Sequence, residues 1–373
     1  MSYDIRIYTI EKQDFNDLKT LFEITMFEDG FVYPFREHQI VVSKETPIEG
    51  EDIPQQICKE LPGLKFLIEC NLEPITYDEK YIKELLKISK AIAKNGIGVI
   101  EDIQTGVITL ASGAKRVLKT EKTEYFSILE LSWWFNDINS ILQNDGLKKL
   151  LHTFERYMPE ALPRRYGEYE PPKEIFTDVN AFHDYLLKNM GKFIIWYPNK
   201  PVDNVDFSIP DFIGPIHLGY RFGKLAVSID SRVLTMPGWK ASIIRLFKHI
   251  SSILNPFYGD IYVLKNQIKS RPTSYTDESS EMHPVLSWWW NGIPKKLGCG
   301  IIVGAPLHDF VKIKKADYEL ENGCKIIIND NFEILPTSEI EINKNIYQPK
   351  IHARPWDKIT YAKIWPFKYP FAD

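Results

Sequence analysis

Only four cysteines (Cys58, Cys70, Cys299 and Cys324) are spread over 373 residues, and none forms a CxxC pair. That scarcity excludes a disulfide scaffold, and the spacing excludes the usual structural zinc and redox motifs. Cys58 falls in a predicted helix and Cys70 and Cys324 in apolar strands, where buried thiols are expected. Long apolar runs are missing too. No window of 18 residues is free of charge, so no membrane-spanning helix is expected. Positive charge is not in excess: 46 Lys+Arg stand against 50 Asp+Glu, a net charge of −4. A nucleic-acid binder that neutralises phosphates over a broad surface is thereby excluded. The opening residues, MSYDIRIYTIEKQDF, have neither a basic run nor an apolar stretch after one. No signal peptide is expected, and the reducing cytoplasm is the expected compartment.

Catalytic signatures are equally sparse. No G-x-S-x-G elbow and no G-x-x-x-x-G-K-[ST] loop occurs, so the local marks of an α/β-hydrolase and of a P-loop are absent. Eight histidines are present (His38, His152, His183, His217, His249, His283, His308, His352), but none makes HExxH, HxH or a helical pair three or four residues apart. No metal, cofactor or catalytic residue is assigned on this basis. Gly298, Gly300 and Gly304 (GCGIIVG) lead into a strand instead of following one into a helix, the wrong context for a dinucleotide fingerprint.

What is present describes an ordinary globular protein, with 44% hydrophobic and 26% charged residues. The length suggests two domains, each large enough to bury a core. Residues 1–120 carry 20 acids and 15 bases, a balance of −5, and the remainder 30 acids and 31 bases, a balance of +1. The most acidic stretch, Glu28–Asp52, holds Glu28, Asp29, Glu37, Glu45, Glu49, Glu51 and Asp52 against Arg36 and Lys44 alone. Such a face can steer a basic partner, or it can be a solvated loop.

Periodicity places strands at Asp4–Thr9, His38–Ser43 and Leu64–Leu72, and helices at Phe15–Glu23, Glu51–Leu61 and Asp78–Lys94. The last has Tyr81, Leu85, Ile88 and Ile92 on one stripe and Asn95-Gly96 as its stop. A hairpin is expected from Val99-Ile100 to Val107–Leu110. These elements make a small acidic α+β domain over 1–120. From 125 to 373 a larger α+β domain is expected. It opens with the strand Tyr125–Phe135 (YFSILELSWWF) and an interrupted helix over 137–157. Met158–Pro172 reads as a Pro-rich loop, Asp178–Asn189 as a helix and Phe193–Trp196 as a strand. Ile216–Arg221 pairs with Leu225–Ser231, and a helix from Pro237 to Leu254 and a strand at Asp260–Leu264 follow. The order strand, helix, strand pair, helix, strand resembles the split βαβ arrangement of ferredoxin-like folds. Both units are expected to hold mixed or antiparallel sheet with packed helices. The tail from Tyr347 to Asp373, rich in Pro and aromatics, is expected to cover the second core irregularly.

Three constellations stand out as sites. Glu101 and Asp102 follow an apolar strand, where neighbours point to opposite faces, and a turn is expected there. Arg164 and Arg165, followed by Tyr166, Glu168 and Glu170, sit in the Pro-bounded loop. They could grip a carboxylate or phosphate, or one arginine could pair locally with a glutamate. Trp288, Trp289 and Trp290, followed by Asn291, cannot all face one core. They could supply a binding anchor or pack under the aromatic tail.

The segments YFSILELSWWF, LPRRYGEYEPP (Leu162–Pro172) and WWWNGIPKKLGCGIIVGAP (Trp288–Pro306) resemble parts of bacterial immunity proteins of polymorphic-toxin and type VI secretion systems. The resemblance covers the C-terminal part only and touches nothing in residues 1–120. It implies a cytoplasmic, non-enzymatic protein that binds and neutralises a toxin, and it assigns no binding residue. The leading expectation is such a binding protein, with the acidic stretch or the tryptophan segment as its contact. The alternatives are an enzyme that holds an anionic substrate through Arg164 and Arg165, with Glu168 or Glu170 as acid–base group, and a structural or scaffold component. A protein partner is expected, and neither nucleic acid nor membrane. The oligomeric state stays open.

Overall fold

The protein is described by a computed structural model over residues 2–117, 125–135, 139–142, 145–169, 172–190, 192, 194–208, 223–268, 281–285, 292–305 and 307–343. The chain divides into two units, Met1–Glu121 and Lys122–Asp373, and each combines sheet and helix in the α+β class.

The strands of the first unit are β1 (Tyr3–Thr9), β2 (Thr25–Phe27), β3 (Gly30–Phe35), β4 (His38–Ser43), β5 (Thr46–Pro47), β6 (Phe66–Glu73), β7 (Gly98–Asp102), β8 (Val107–Leu110) and β9 (Lys115–Val117). They form one sheet in the order β2-β3-β4-β6-β1-β7-β8-β9, with β5 also beside β6. Its helices are α1 (Gln55–Glu60) and α2 (Glu79–Asn95). Asp78 caps α2 by accepting the Lys80 N–H at 3.0 Å, and the expected stripe of Tyr81, Leu85, Ile88 and Ile92 is buried against Ile5, Ile7, Ile68 and Leu72. Because α2 carries the chain across β1, β6 and β7 run parallel with β1 antiparallel between them. The opposite face buries Tyr8, Leu67, Val99 and Ile108 against Ile57 of α1.

Two expected helices are shorter than their periodicity suggests. Phe15–Thr20 is a single 3-10 helix, and α1 covers only the end of Glu51–Leu61. Strands β2 and β3 escape a period-two reading because Gly30 and Pro34 interrupt the pattern. The Phe35↔His38 pair closes a tight turn, and β2 ends at Thr25↔Val32. Pro34 therefore lies past the end of β2, where a missing N–H costs no ladder bond.

The second unit contains β10 (Tyr125–Phe135), β11 (Pro163–Gly167), β12 (Glu174–Ile175), β13 (Ile195–Pro198), β14 (Val202–Ser208), β15 (Gly223–Asp230), β16 (Tyr258–Ile268), β17 (Gly300–Val303), β18 (Val311–Ile313), β19 (Tyr318–Glu319), β20 (Lys325–Ile328) and β21 (Ile340–Ile342). Its helices are α3 (Asn139–Leu142), α4 (Gly146–Tyr157), α5 (Val179–Lys188) and α6 (Trp239–Leu254). The main sheet runs β14-β15-β10-β16-β17-β20-β19, and its pairings are antiparallel. The first four strands, with α4 before β14 and α6 between β15 and β16, are two interleaved βαβ units. The strand paired with β15 is β14. The expected partner, 216–221, lies outside the described residues, as does the tail from 344 to 373.

Alternation along β10 divides the core. Leu129, Leu131, Trp133 and Phe135 face α4, α5 and α6, while Trp134 faces a second cluster with Tyr258, Val285 and Ile301. The Trp133 indole N–H donates to Ser251 Oγ of α6 at 3.0 Å, and both residues are fully buried. Replacing Ser251 by Ala should leave that N–H orphaned and cost about 1–3 kcal/mol. Replacing exposed Ser252 should change stability by less than about 0.5 kcal/mol. Urea titrations of the two variants measure the contrast.

Candidate functional site

The segment expected as a loop around Arg164 and Arg165 is a strand. β11 pairs with β12 on one side and β13 on the other, and its register against β13 shifts between Pro163 and Arg165. Arg164 lies over the Tyr197 ring at 5.3 Å from the centroid, and Arg165 is only 5% exposed. Tyr166 packs into the helical core, with ring centroids 4.6 Å from Phe182 and 4.8 Å from Tyr185. Glu168 accepts from Lys192 Nζ at 2.5 Å, so its cation comes from beyond α5 and not from the neighbouring arginines. The flanking prolines suggested a loop, but the β13 pairing that makes the strand comes from about 30 residues downstream and leaves no local signal. Trp288, Trp289, Trp290 and Asn291 lie outside the described residues, as does Glu170.

Glu101 and Asp102 end a strand and are buried. They point to opposite faces and each meets a tyrosine of β1. Tyr8 donates to Glu101 at 2.9 Å and Tyr3 to Asp102 at 2.8 Å. Asp102 also accepts the Gln104 and Thr105 N–H groups, which starts the expected turn into β8. The pair is therefore divided between two sides of the sheet.

Sequence reasoning missed a cluster of ionisable groups on the face of the second sheet opposite α4 and α6. Register places Glu130, Ser132 and Trp134 of β10 beside Tyr262, Asp260 and Tyr258 of β16 and beside Ser228, Ala226 and Lys224 of β15. Lys224 Nζ lies 3.6 Å from Glu130 and 5.4 Å from the Trp134 ring centroid. Ser132 donates to Glu130 at 2.9 Å and Tyr258 to Asp260 at 2.7 Å. His283 approaches over the sheet, with Nε2 3.0 Å from Asp260 Oδ1. The only sequence trace is a charge inside each otherwise apolar strand: Glu130 in SILELSWWF, Lys224 before LAVSI and Asp260 before IYVL.

The charges in this cluster offset one another. Burial disfavours ionised Glu130, yet Lys224, His283 and the Ser132 hydrogen bond outweigh it and hold the carboxyl below its ordinary range. Burial likewise opposes charged His283, but Asp260 and Glu130 prevail over it and over Lys224, and the imidazole is shifted upward. Its Nδ1 lies 3.1 Å from the Val285 N–H and 3.2 Å from the Val285 carbonyl. The neutral ring can accept from the first and the imidazolium can donate to the second. Tyr258 and Tyr262 are held as neutral phenols, first by burial and then by Asp260. Tyr262 donates to the Lys296 carbonyl. Both His283 nitrogens and the hydroxyls of Ser132, Tyr258 and Tyr262 are thus engaged inside the protein. Burial also pushes the thiols of Cys70, Cys299 and Cys324 up to about 12, which keeps them protonated near neutral pH. Among the described residues, no three His, Cys, Asp or Glu side chains form a set that could hold a metal ion.

The first unit offers an open feature instead. A groove of about 470 Å³ lies at the β2 end of the sheet, lined by Lys12, Phe15, Met26, Phe27, Glu28 and Glu45 among others. Phe15 forms its buried base, edge-on to Phe31 at 5.1 Å, while Met26 and Phe27 are 38% and 44% exposed. Lys12 holds Glu45 at 3.4 Å. The acidic stretch is divided around this sheet. Glu28, Asp29 and Glu45 lie at the groove end, and Glu37, which accepts from Tyr81, lies in the turn at the other end of β3 and β4.

No protein-family model matches this chain, and no curated protein matches it. No helix among the described residues is long and apolar enough to cross a membrane.

The pH behaviour of the cluster follows from the direction of the His283 shift. A folded-state pKa above the ordinary 6.5 makes the protonated ring stabilising. That contribution is complete below about pH 6.5 and is lost as pH rises through the folded value. Replacing His283 by Ala leaves Asp260 buried without its cation and should cost about 3–5 kcal/mol at about pH 5.5. The loss should shrink by about pH 8.5. Urea unfolding of both proteins at the two pH values measures this, and a loss that grows with pH would contradict it.

Proposed function

We propose that this chain is a non-enzymatic binding protein of the immunity type, which neutralises a toxin in the bacterial cytoplasm by holding it in a complex. The observation that carries this reading is the open, partly apolar groove on the acidic first unit, bordered by exposed Met26 and Phe27. Exposed apolar side chains rimmed by charge suit protein recognition. The ionisable cluster of the second unit supports the same reading from the other side, because Lys224 is paired with Glu130 and His283 with Asp260. Trp288, Trp289, Trp290 and Asn291 stay with the proposal as a second contact candidate.

The reading expects a toxin-domain gene beside this one, and the test is co-expression of the two products in a heterologous bacterium. Restored growth and co-purification of the two chains are expected. Growth arrest that the chain does not relieve, with no co-purification, would overturn the reading.

A further inference from the structure

We infer that the first unit takes its partner by strand addition at β2, and that the added segment is an extended stretch of the partner protein carrying apolar side chains between Lys or Arg residues. This rests on the binding-protein reading above. The two ends of the sheet are unlike. Strand β9 exposes Lys115 and Arg116, and cations on an edge discourage pairing with other chains. Strand β2 is Thr25-Met26-Phe27, exposed along its whole length and without a charge. An edge of this kind presents backbone N–H and C=O groups to an incoming strand.

The edge is also held firmly in place. Register fixes Thr25↔Val32, Met26↔Phe31 and Phe27↔Gly30. Gly30 has φ +145, and a Cβ there would stand 2.0 Å from the Val42 carbonyl oxygen, so the hairpin lies as close to β4 as a backbone can. The Lys44 N–H donates to the Asp29 carbonyl at 2.6 Å. Met26 and Phe27 border the groove, which has room for a side chain of an added strand.

Charge decides the occupant. Exposed Glu23 precedes β2, exposed Glu28 and Asp29 follow it, and no base occurs between Lys19 and Arg36. Antiparallel pairing of two copies through β2 would bring Glu23 of one beside Glu28 and Asp29 of the other, and like charges placed opposite are destabilising. A basic segment turns the same three carboxylates into attraction and steering. Three residues supply few backbone bonds, so side chains and charge carry much of the affinity, and salt should weaken the complex.

The test uses the full chain and the co-expressed toxin-domain product, comparing wild type with Met26→Lys/Phe27→Lys, Glu23→Lys/Glu28→Lys and, on the other edge, Val117→Lys. All four should melt alike, since the changed residues are exposed. Affinity should fall by at least about 10-fold in the first two variants and stay unchanged in the third. Amides of Thr25–Phe27 should exchange more slowly in the complex. A wild-type complex that both β2 variants form equally well, or unchanged exchange at β2, overturns strand addition and leaves the binding reading standing. Failure of the wild-type chain to bind overturns the reading and this inference with it. A wild-type dimer in sedimentation, dissolved by Met26→Lys/Phe27→Lys, would make a second copy the occupant and overturn the inference.

Discussion

A charge buried on a covered sheet face can persist only if its neighbours neutralise it, because an isolated ion there costs several kcal/mol even after relaxation. Strand β10 meets this constraint at the centre of the second unit. Its odd-numbered residues from Leu129 to Phe135 face the helices, so Glu130 and Ser132 must face the other covered side. Lys224 from β15 and His283 supply the positive charge for Glu130 and for Asp260 of β16. Each partner is contributed by a different segment, so the pairing of the cluster and the pairing of the sheet are the same event. A one-residue slip of β10 would turn Glu130 into the helical core and Trp133 out of it. A slip would thus break the charge pairing together with the apolar packing.

The first unit solves a milder version with phenols. Glu101 and Asp102 point to opposite faces of β7, and β1 sends Tyr8 to one and Tyr3 to the other. Arg6, which pairs with Glu101 in the ladder and lies 3.4 Å from Glu69, adds a cation on the Tyr8 side. These contacts lock β1 between β6 and β7, the position that the α2 crossover requires. Both units thus fix their central strand by polar contacts and fill the space around it with aliphatic and aromatic side chains.

Elements whose signal is local were legible in the sequence. The stripe of α2, the α5 and α6 helices, the β7–β8 hairpin and the apolar run of β10 all form where periodicity places them. Pro237 precedes α6 by two residues, and Gly238 caps it. The interleaved βαβ order was also legible, and β14 pairs with β15 in it. Elements that depend on distant pairing were not. β11 looked like a loop because its partner β13 lies about 30 residues on, and β2 and β3 were hidden by Gly30 and Pro34. The ion cluster was illegible for the same reason. Glu130, Lys224, Asp260 and His283 are far apart in sequence, and only antiparallel register makes them neighbours.

The two units also differ in what they leave for other molecules. In the second, the charges of the cluster are matched within it, and a ligand that displaced one of them would leave its partner buried and uncompensated. In the first, the β2 edge keeps apolar side chains in water. Such an edge is an aggregation hazard unless something limits it. Its three-residue length restricts the number of backbone bonds a stray strand can make. The carboxylates at both of its ends repel a second copy while attracting a basic segment. Shortness and acidity together turn a generic pairing surface into a selective one, because only a strand that brings both apolar side chains and positive charge recovers enough free energy to stay.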